Sequence, residues 1–379
     1  MLTEEQSLIA EMTTSYALDM LAPNAARWEE EQTLSRDAFK EMAELGLGAI
    51  YAREEFGGSG LGRIEAVLAF EGLARGCVSH ATMLSIHNMM TWMTDRFGSD
   101  ELRARFVPGL ATCDLVGSYC LTEPGAGSDA ASLKTRAVRD GDSYVLNGSK
   151  MFISAAGWSD LYLVMARTSD DGARGISAFI VEKGTEGLSF GKKEQKMGWR
   201  AQPTAVVNFD DCRIPAENLI GEEGQGFKIA MAGLDGGRLN IAAASLGGAQ
   251  EALVRSIRYA QERKQFGQAI SEFQATQFKL ADMETELQAS RSFLYEAAHR
   301  MDAKTEDSTK YCAMAKRFVT DTCFNIVNHA LQIHGGYGYL NEYEIERILR
   351  DLRVHQILEG TNEIMRVITA RSLLNEYKI

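Results

Sequence analysis

The sequence predicts an α+β multidomain protein: an N-terminal α-helical domain over residues 1–113, a middle antiparallel β-barrel or sandwich domain over 114–218, and a C-terminal helical bundle over 219–379. Three observations predict it. Up to about Pro108 apolar residues recur at helical spacing. Between about Asp114 and Asn218 the texture changes to short runs rich in β-branched, aliphatic and aromatic residues. After Pro215 no proline occurs, and the chain is rich in Ala, Leu, Met, Glu, Gln, Lys and Arg. No internal repeat or low-complexity linker interrupts this α, β, α order.

The elements follow in chain order. Thr3-Glu4-Glu5-Gln6 has the form of a capping box and leads into Leu8, Ile9 and Met12, so the first helix starts there. Phe39, Met42 and Ala43 share a helix face that closes at Gly46, and Phe56-Gly57-Gly58-Ser59-Gly60 breaks the helical pattern. Strands are expected at 160–165, 175–181 and 205–209. Asn147-Gly148, between Tyr144-Val145-Leu146 and Met151-Phe152-Ile153, predicts a hairpin turn. A long helix runs from Gly226 to beyond Gly247, and Leu280, Met283, Leu287 and Leu294 mark another. Thr361 is placed to cap a last helix whose apolar stripe, Ile364, Val367 and Ile368, continues onto Arg371, off the solvent face.

Composition excludes several classes. With 379 residues, 45% hydrophobic and 24% charged, the chain is long enough for a large core and too apolar to be disordered. Its net charge of −12 argues against nucleic acid or an anionic membrane as partner. Neither the six cysteines nor the six histidines show a ligand-like spacing, so reduced thiols and no metal are expected. No apolar run is long enough to cross a bilayer, and no targeting region opens the chain. The expected compartment is the cytoplasm, with a processed mitochondrial matrix protein as the alternative.

Four segments suit chemistry. In Ile357-Leu358-Glu359-Gly360-Thr361 one carboxylate stands between apolar residues and a glycine. Burial there raises a carboxyl above its usual pKa of about 4.3, which suits a base. The same residues also suit a surface-helix glutamate, with Arg371 covering core by its stem. Tyr119-Cys120-Leu121-Thr122-Glu123-Pro124-Gly125-Ala126-Gly127-Ser128 could present backbone N–H groups to an anion or a polar ring, yet lacks the spacing of a P-loop or dinucleotide fingerprint. Asp235-Gly236-Gly237-Arg238 puts two glycines inside a helix at about 1 kcal/mol each, which indicates close packing or ligand approach. Arg263 to Gly267, Phe273-Gln274 and Gln332 to Tyr339 combine an arginine, aromatics and a Gly-Gly turn that could clamp a dinucleotide.

In this order and over the whole chain, these segments strongly resemble the acyl-CoA dehydrogenase family. The resemblance implies FAD as cofactor, a homotetramer built from dimers, an acyl-CoA substrate and an electron transfer flavoprotein as acceptor. It implies that Glu359 removes the α-proton while flavin N5 accepts the β-hydride. It places Tyr119, Leu121, Thr122, Gly127 and Ser128 along the flavin, with Phe152, Ile153 and Ser154 over the ring. Arg263, Phe266, Phe273, Gln274, Gln332, Ile333, Gly335 and Gly336 would hold the diphosphate and adenine, partly from a neighbouring subunit. Thr361, Asn362 and Glu363 would touch the same cofactor. Ser128, Asp235, Arg238, Gly360 and Arg371 would bind the substrate.

Some members carry the base on the helix at the place of Gly237, which cannot serve, so Glu359 has no competitor. The runs 187–199 and 84–88 are most similar to members acting on a short branched-chain acyl-CoA, isobutyryl-CoA favoured. Asp235 departs from that branch, where asparagine is expected, and keeps butyryl-CoA and 2-methylbutyryl-CoA open. Acyl-CoA oxidases and flavin monooxygenases of the same fold are more distant alternatives.

Overall fold

The computed structural model describes residues 2–378. The N-terminal region is helical: α1 (Glu4–Tyr16), α2 (Ala22–Glu31), α3 (Arg36–Glu44), α4 (Arg63–Ala74), α5 (Val78–Phe97) and α6 (Asp100–Ala111). The capping box forms as expected: Gln6 N–H donates to Thr3 Oγ1 at 3.2 Å and Thr3 N–H to Gln6 Oε1 at 3.0 Å. α4 and α5 are buried on nearly every face; α4 is largely apolar, whereas α5 buries polar residues that find partners, as Asn88 Nδ2 does by donating to the Leu47 and Leu84 carbonyls.

The middle region holds β1 (Gly117–Cys120), β2 (Arg136–Asp140), β3 (Ser143–Ser154), β4 (Leu161–Arg167), β5 (Ile176–Glu182), β6 (Leu188–Phe190), β7 (Thr204–Pro215) and β8 (Leu219–Ile220). They form one sheet in the order β6-β7-β3-β2-β4-β5-β8, with β1 beside β4. Pairing is mostly antiparallel; β1 and β2 meet β4 in parallel. β4 and β5 are buried on both faces, which is why they read as unbroken apolar runs. Leu161, Leu163, Met165 and Ile180 face Met89 and Met93 of α5, while the alternate residues Tyr162, Val164 and Phe179 pack with Tyr144 inside the β domain.

The hairpin expected at Asn147-Gly148 is not there. β3 runs through it, with register shifts against β7 between Leu146 and Gly148 and between Lys150 and Ile153. The glycine serves a bulge and a close approach: a Cβ on Gly148 would lie 2.8 Å from Thr135 Cα. Asn147 instead exchanges hydrogen bonds with Asp211, its Nδ2 donating to Oδ1 at 3.0 Å and its Oδ1 accepting from Asp211 N–H at 2.9 Å.

The last region contains α7 (Gly226–Glu262), a two-stranded ribbon of β9 (Lys264–Gln265) and β10 (Gln268–Ala269), α8 (Gln274–Asp302), α9 (Ser308–His334), α10 (Ile345–Arg353) and α11 (Asn362–Glu376). α7, about 55 Å long, packs on α9 and α8 and also on α4 and α5. One apolar core therefore runs from Phe39 and Phe70 through Leu246 to Leu294 and Val327. The two helical regions, separate in sequence, are one packing unit. All six cysteines are buried and free, and among the described residues no helix is long and apolar enough to cross a membrane.

Candidate active site

Glu359 sits on the turn that joins a 3-10 segment, Val354–Gln356, to α11. Its φ is +57° and that of Gly360 is +86°, two successive left-handed residues. For a glutamate that conformation costs about 1–2 kcal/mol and persists only where neighbours enforce it. They do so here. Arg238 Nε donates to the Glu359 carbonyl at 3.3 Å, and Lys316 Nζ donates to the Gly360 carbonyl at 2.8 Å. Thr361 caps α11, its Oγ1 accepting from Ile364 N–H at 3.3 Å.

The turn directs the Glu359 side chain against α7 at Gly237, where a Cβ would stand only 2.7 Å from Oε2. The glycine makes room for the carboxylate. Oε2 is buried without a hydrogen-bond partner. Burial raises this carboxyl to about 7, against the opposing pull of the Arg238 and Lys316 charges. The start of α11 also favours the anion, and burial prevails over it.

A cavity of about 370 Å³ opens in front of this carboxylate. One wall is the β domain: Tyr119 of β1, Leu121, Thr122, Gly127 and Ser128 from the loop after it, and Phe152, Ile153 and Ser154 from the end of β3. Phe152 is left-handed, with φ +59°, and its side chain is exposed. The Tyr119 hydroxyl, like Glu359 Oε2, is buried without a partner. The opposite wall is apolar: Ile86 and Met89 of α5, Phe227, Met231 and Leu234 of α7, and Leu358.

Glu123, in the same loop, is not a free base. Its carboxylate accepts from Lys150 Nζ at 2.7 Å, Lys134 N–H at 2.6 Å and Thr135 N–H at 2.9 Å. Burial would raise it, but the Lys150 charge and these hydrogen bonds outweigh that and hold it below the usual range.

Arg238 lines the cavity, buried, and its Nη1 donates to Asp235 Oδ1 at 2.5 Å. Asp235 Oδ2 accepts from Thr309 Oγ1 at 2.7 Å, so its side chain is committed to protein partners. Asn362 and Arg371 do not line the cavity. Asn362 turns away from the cavity into the core, bonded to Thr320, Asp321 and Lys316 of α9. Arg371 is solvent-exposed, because Ile364 and Ile368 of its stripe line the cavity rather than the core. Glu363 is also exposed.

A second cavity, of about 390 Å³, gathers Arg263, Ile333, Gly335 and Gly336. Tyr259 stacks on His334 there at 4.4 Å, and the Arg263 guanidinium lies 5.3 Å from the Tyr337 ring. Phe266, on the β9–β10 ribbon, is 95% exposed and meets Phe273 edge-on at 6.2 Å. Gln274, at the start of α8, and Gln332 are exposed. Along α7 the two sites stand about 37 Å apart.

Sequence reasoning missed Lys316 and the apolar wall from α5 and α7. The signal for Lys316 was present: it falls on the stripe Cys312, Val319 and Cys323, where a lysine is out of place.

The comparisons with known proteins agree with this arrangement. Profiles of the acyl-CoA dehydrogenase N-terminal, middle and C-terminal domains match residues 3–114, 118–212 and 224–374. The chain is 52% identical to the mitochondrial isobutyryl-CoA dehydrogenase of Bos taurus, over 99% of this chain and 90% of that one. It superposes on butyryl-CoA dehydrogenase from Megasphaera elsdenii with a TM-score of 0.95 at 38% identity, covering 99% of each chain. A chain in the structure of the electron transferring flavoprotein of Acidaminococcus fermentans gives 0.96 at 42% identity, again over 99% of each. With all three domain profiles matched and one relative more than half identical over nearly its whole length, the chain belongs to the acyl-CoA dehydrogenase family.

Proposed function

We propose that this chain, an FAD-dependent oxidoreductase acting on acyl-CoA, converts isobutyryl-CoA to the 2-enoyl-CoA with Glu359 as the base. The observation that carries the role of Glu359 is its buried, unpartnered Oε2 facing an apolar cavity from an enforced turn. The cavity suits a flavin: the Tyr119 hydroxyl is buried without a partner, Gly125 and Gly127 leave backbone open, and Phe152 stands exposed at the rim. Tyr119, Leu121, Thr122, Gly127, Ser128 and Phe152 to Ser154 would hold its ring. Bound FAD supplies a two-electron acceptor for the hydride that leaves the β-carbon.

The chain's residues manage the proton. An α-proton beside a thioester is too weakly acidic for an ordinary carboxylate, so the base must be strengthened and the developing oxyanion stabilised. Burial does the first. For the second, the Glu359 N–H makes no hydrogen bond among the described residues and is available to the thioester carbonyl oxygen. Arg238 and Gly360 border the same end of the cavity and would position the acyl group.

The preference for isobutyryl-CoA is supported by the 52% identity to the Bos taurus enzyme. A branched and a linear four-carbon acyl group differ by one methyl's placement, which apolar pockets resolve by ~1–3 kcal/mol. Turnover of isobutyryl-CoA is therefore expected to exceed that of butyryl-CoA by roughly ten- to two-hundred-fold in kcat/KM. Kinetics with isobutyryl-, 2-methylbutyryl-, butyryl- and octanoyl-CoA measure it. A preference for butyryl-CoA would move the chain to the linear-chain reading that Asp235 favours.

We further propose a homotetramer of dimers that reduces an electron transferring flavoprotein. The second cavity, about 37 Å along α7 from Arg238, is too distant to serve the same cofactor within one protomer, so it would hold the dinucleotide of a neighbour. Exposed Phe266, Tyr339 and Leu340 around it suit a subunit contact. Arg263→Ala is expected to lower FAD occupancy while the protomer still folds. Sedimentation followed at flavin absorbance checks this, and stoichiometric FAD on a stable monomer would refute the shared site.

A further inference from the structure

Lys316 of α9 is completely buried, yet it forms no ion pair among the described residues. Its Nζ donates to the Gly360 carbonyl at 2.8 Å and to Asn362 Oδ1 at 2.9 Å. Neutral oxygens satisfy an ammonium's hydrogen bonds without cancelling its charge, and a buried charge left so is costly. An apolar residue would cost less here, unless the charge serves something.

The surrounding charges indicate what that is. Asp321, further along α9, is paired with Arg366 at 3.7 Å and accepts from Gln356 Nε2 at 2.9 Å and Asn362 Nδ2 at 2.7 Å. Glu363, opening α11, is exposed to water. Arg238, from α7, carries a like charge, and His355, on the preceding turn, is kept neutral by burial, its pKa pushed down to about 3. The phenols of Tyr51 and Tyr119, which face Glu359 from the other side, are uncharged at neutral pH, burial raising both. Asp235 is paired with Arg238 and bonded by Thr309, which leaves Glu359, whose Oε2 has no partner of its own.

We infer that Lys316 is a positioning residue for the reaction: it clamps the left-handed Glu359–Gly360 turn through the Gly360 carbonyl and, when protonated, supplies a nearby positive charge that favours the ionised base in an apolar cavity. The inference rests on the proposed role of Glu359. Its electrostatic half has the required sign in both directions. Burial lowers the Lys316 ammonium to about 7 and the Glu359 charge opposes that; burial raises Glu359 to about 7 and the Lys316 charge opposes that.

The test is the pH dependence of anaerobic flavin reduction by isobutyryl-CoA, in the FAD-loaded enzyme and in Lys316→Met, Lys316→Gln and Lys316→Arg. The ionised base is the active form, so the wild-type rate rises with pH through a midpoint near 7. Both neutral variants are expected to move that midpoint upward by about one unit or more, with FAD content retained. Lys316→Gln keeps an N–H for the Gly360 carbonyl and should keep more of the high-pH rate than Lys316→Met. Lys316→Arg keeps the charge and should leave the midpoint in place while lowering the plateau. A rate lowered equally at every pH in the neutral variants makes Lys316 merely structural and overturns the inference. So does failure of both neutral variants to fold. Wild-type flavin unmoved by every acyl-CoA overturns the functional reading itself, and this inference with it.

Discussion

Glu359→Gln is expected to fold, to bind FAD and to lose acyl-CoA-driven flavin reduction by about 10²- to 10⁴-fold, the usual worth of a positioned general base. The amide fills the space beside Gly237 and cannot take a proton. Rapid-mixing absorbance decides the matter, since near wild-type bleaching in this variant would eliminate Glu359 as the base. A second readout has the opposite sign. The folded-state pKa of Glu359, about 7, lies above its ordinary 4.5, so the native state holds this proton more tightly than the unfolded chain does. Wild-type stability tied to that proton is full below 4.5 and is lost as pH rises towards 7 and beyond. The glutamine variant does not ionise, so above neutral pH it should unfold at higher temperature than wild type. Below the ordinary carboxyl range the difference should close.

Gly237→Ala should separate the fold from the chemistry more sharply than any change to the base itself. In mid-helix, alanine is favoured over glycine by about 1 kcal/mol, and none of the three atoms nearest the new methyl belongs to backbone. Its closest neighbours are the Glu359 carboxylate atoms, Oε2 at 2.7 Å, Cδ at 3.0 Å and Oε1 at 3.1 Å. A carboxylate at the end of a flexible side chain yields, so the protein stays folded and the base leaves its place. Displacements of that size cost about 10²-fold in rate. Thermal unfolding and flavin reduction measured on one preparation test both halves. An unchanged rate would mean that Gly237 does not set the position of Glu359.

Much of this arrangement was legible in the sequence, for reasons that differ by element. The Glu359 turn stood out because a carboxylate, a glycine and a capping threonine each have local conformational signatures, and the long helix showed its period. Asn147-Gly148 misled because the same dipeptide serves a tight turn and a bulge, and only the position of Thr135, just before the neighbouring β2, decides between them. The stripe Ile364, Ile368, Arg371 misled for another reason. A face lining a ligand cavity is as apolar as one lining the core, so the sequence pattern is the same while Arg371 is left in solvent. The joining of the first and last regions into one core was illegible, because it depends on contacts between residues far apart in the chain, such as those of α4 with α7.

That shared core has a consequence during synthesis. Phe70 is released from the ribosome long before Leu246, its fellow member of the same core. At translation rates of about 5–20 residues per second, the interval is roughly ten to forty seconds. Throughout it the faces of α4 and α5 that meet α7 in the finished protein lack their partner. The nascent chain thus offers a wide hydrophobic surface to whatever binds such surfaces first, and its yield in a foreign host should depend on chaperone supply more than on the stability of the finished protein.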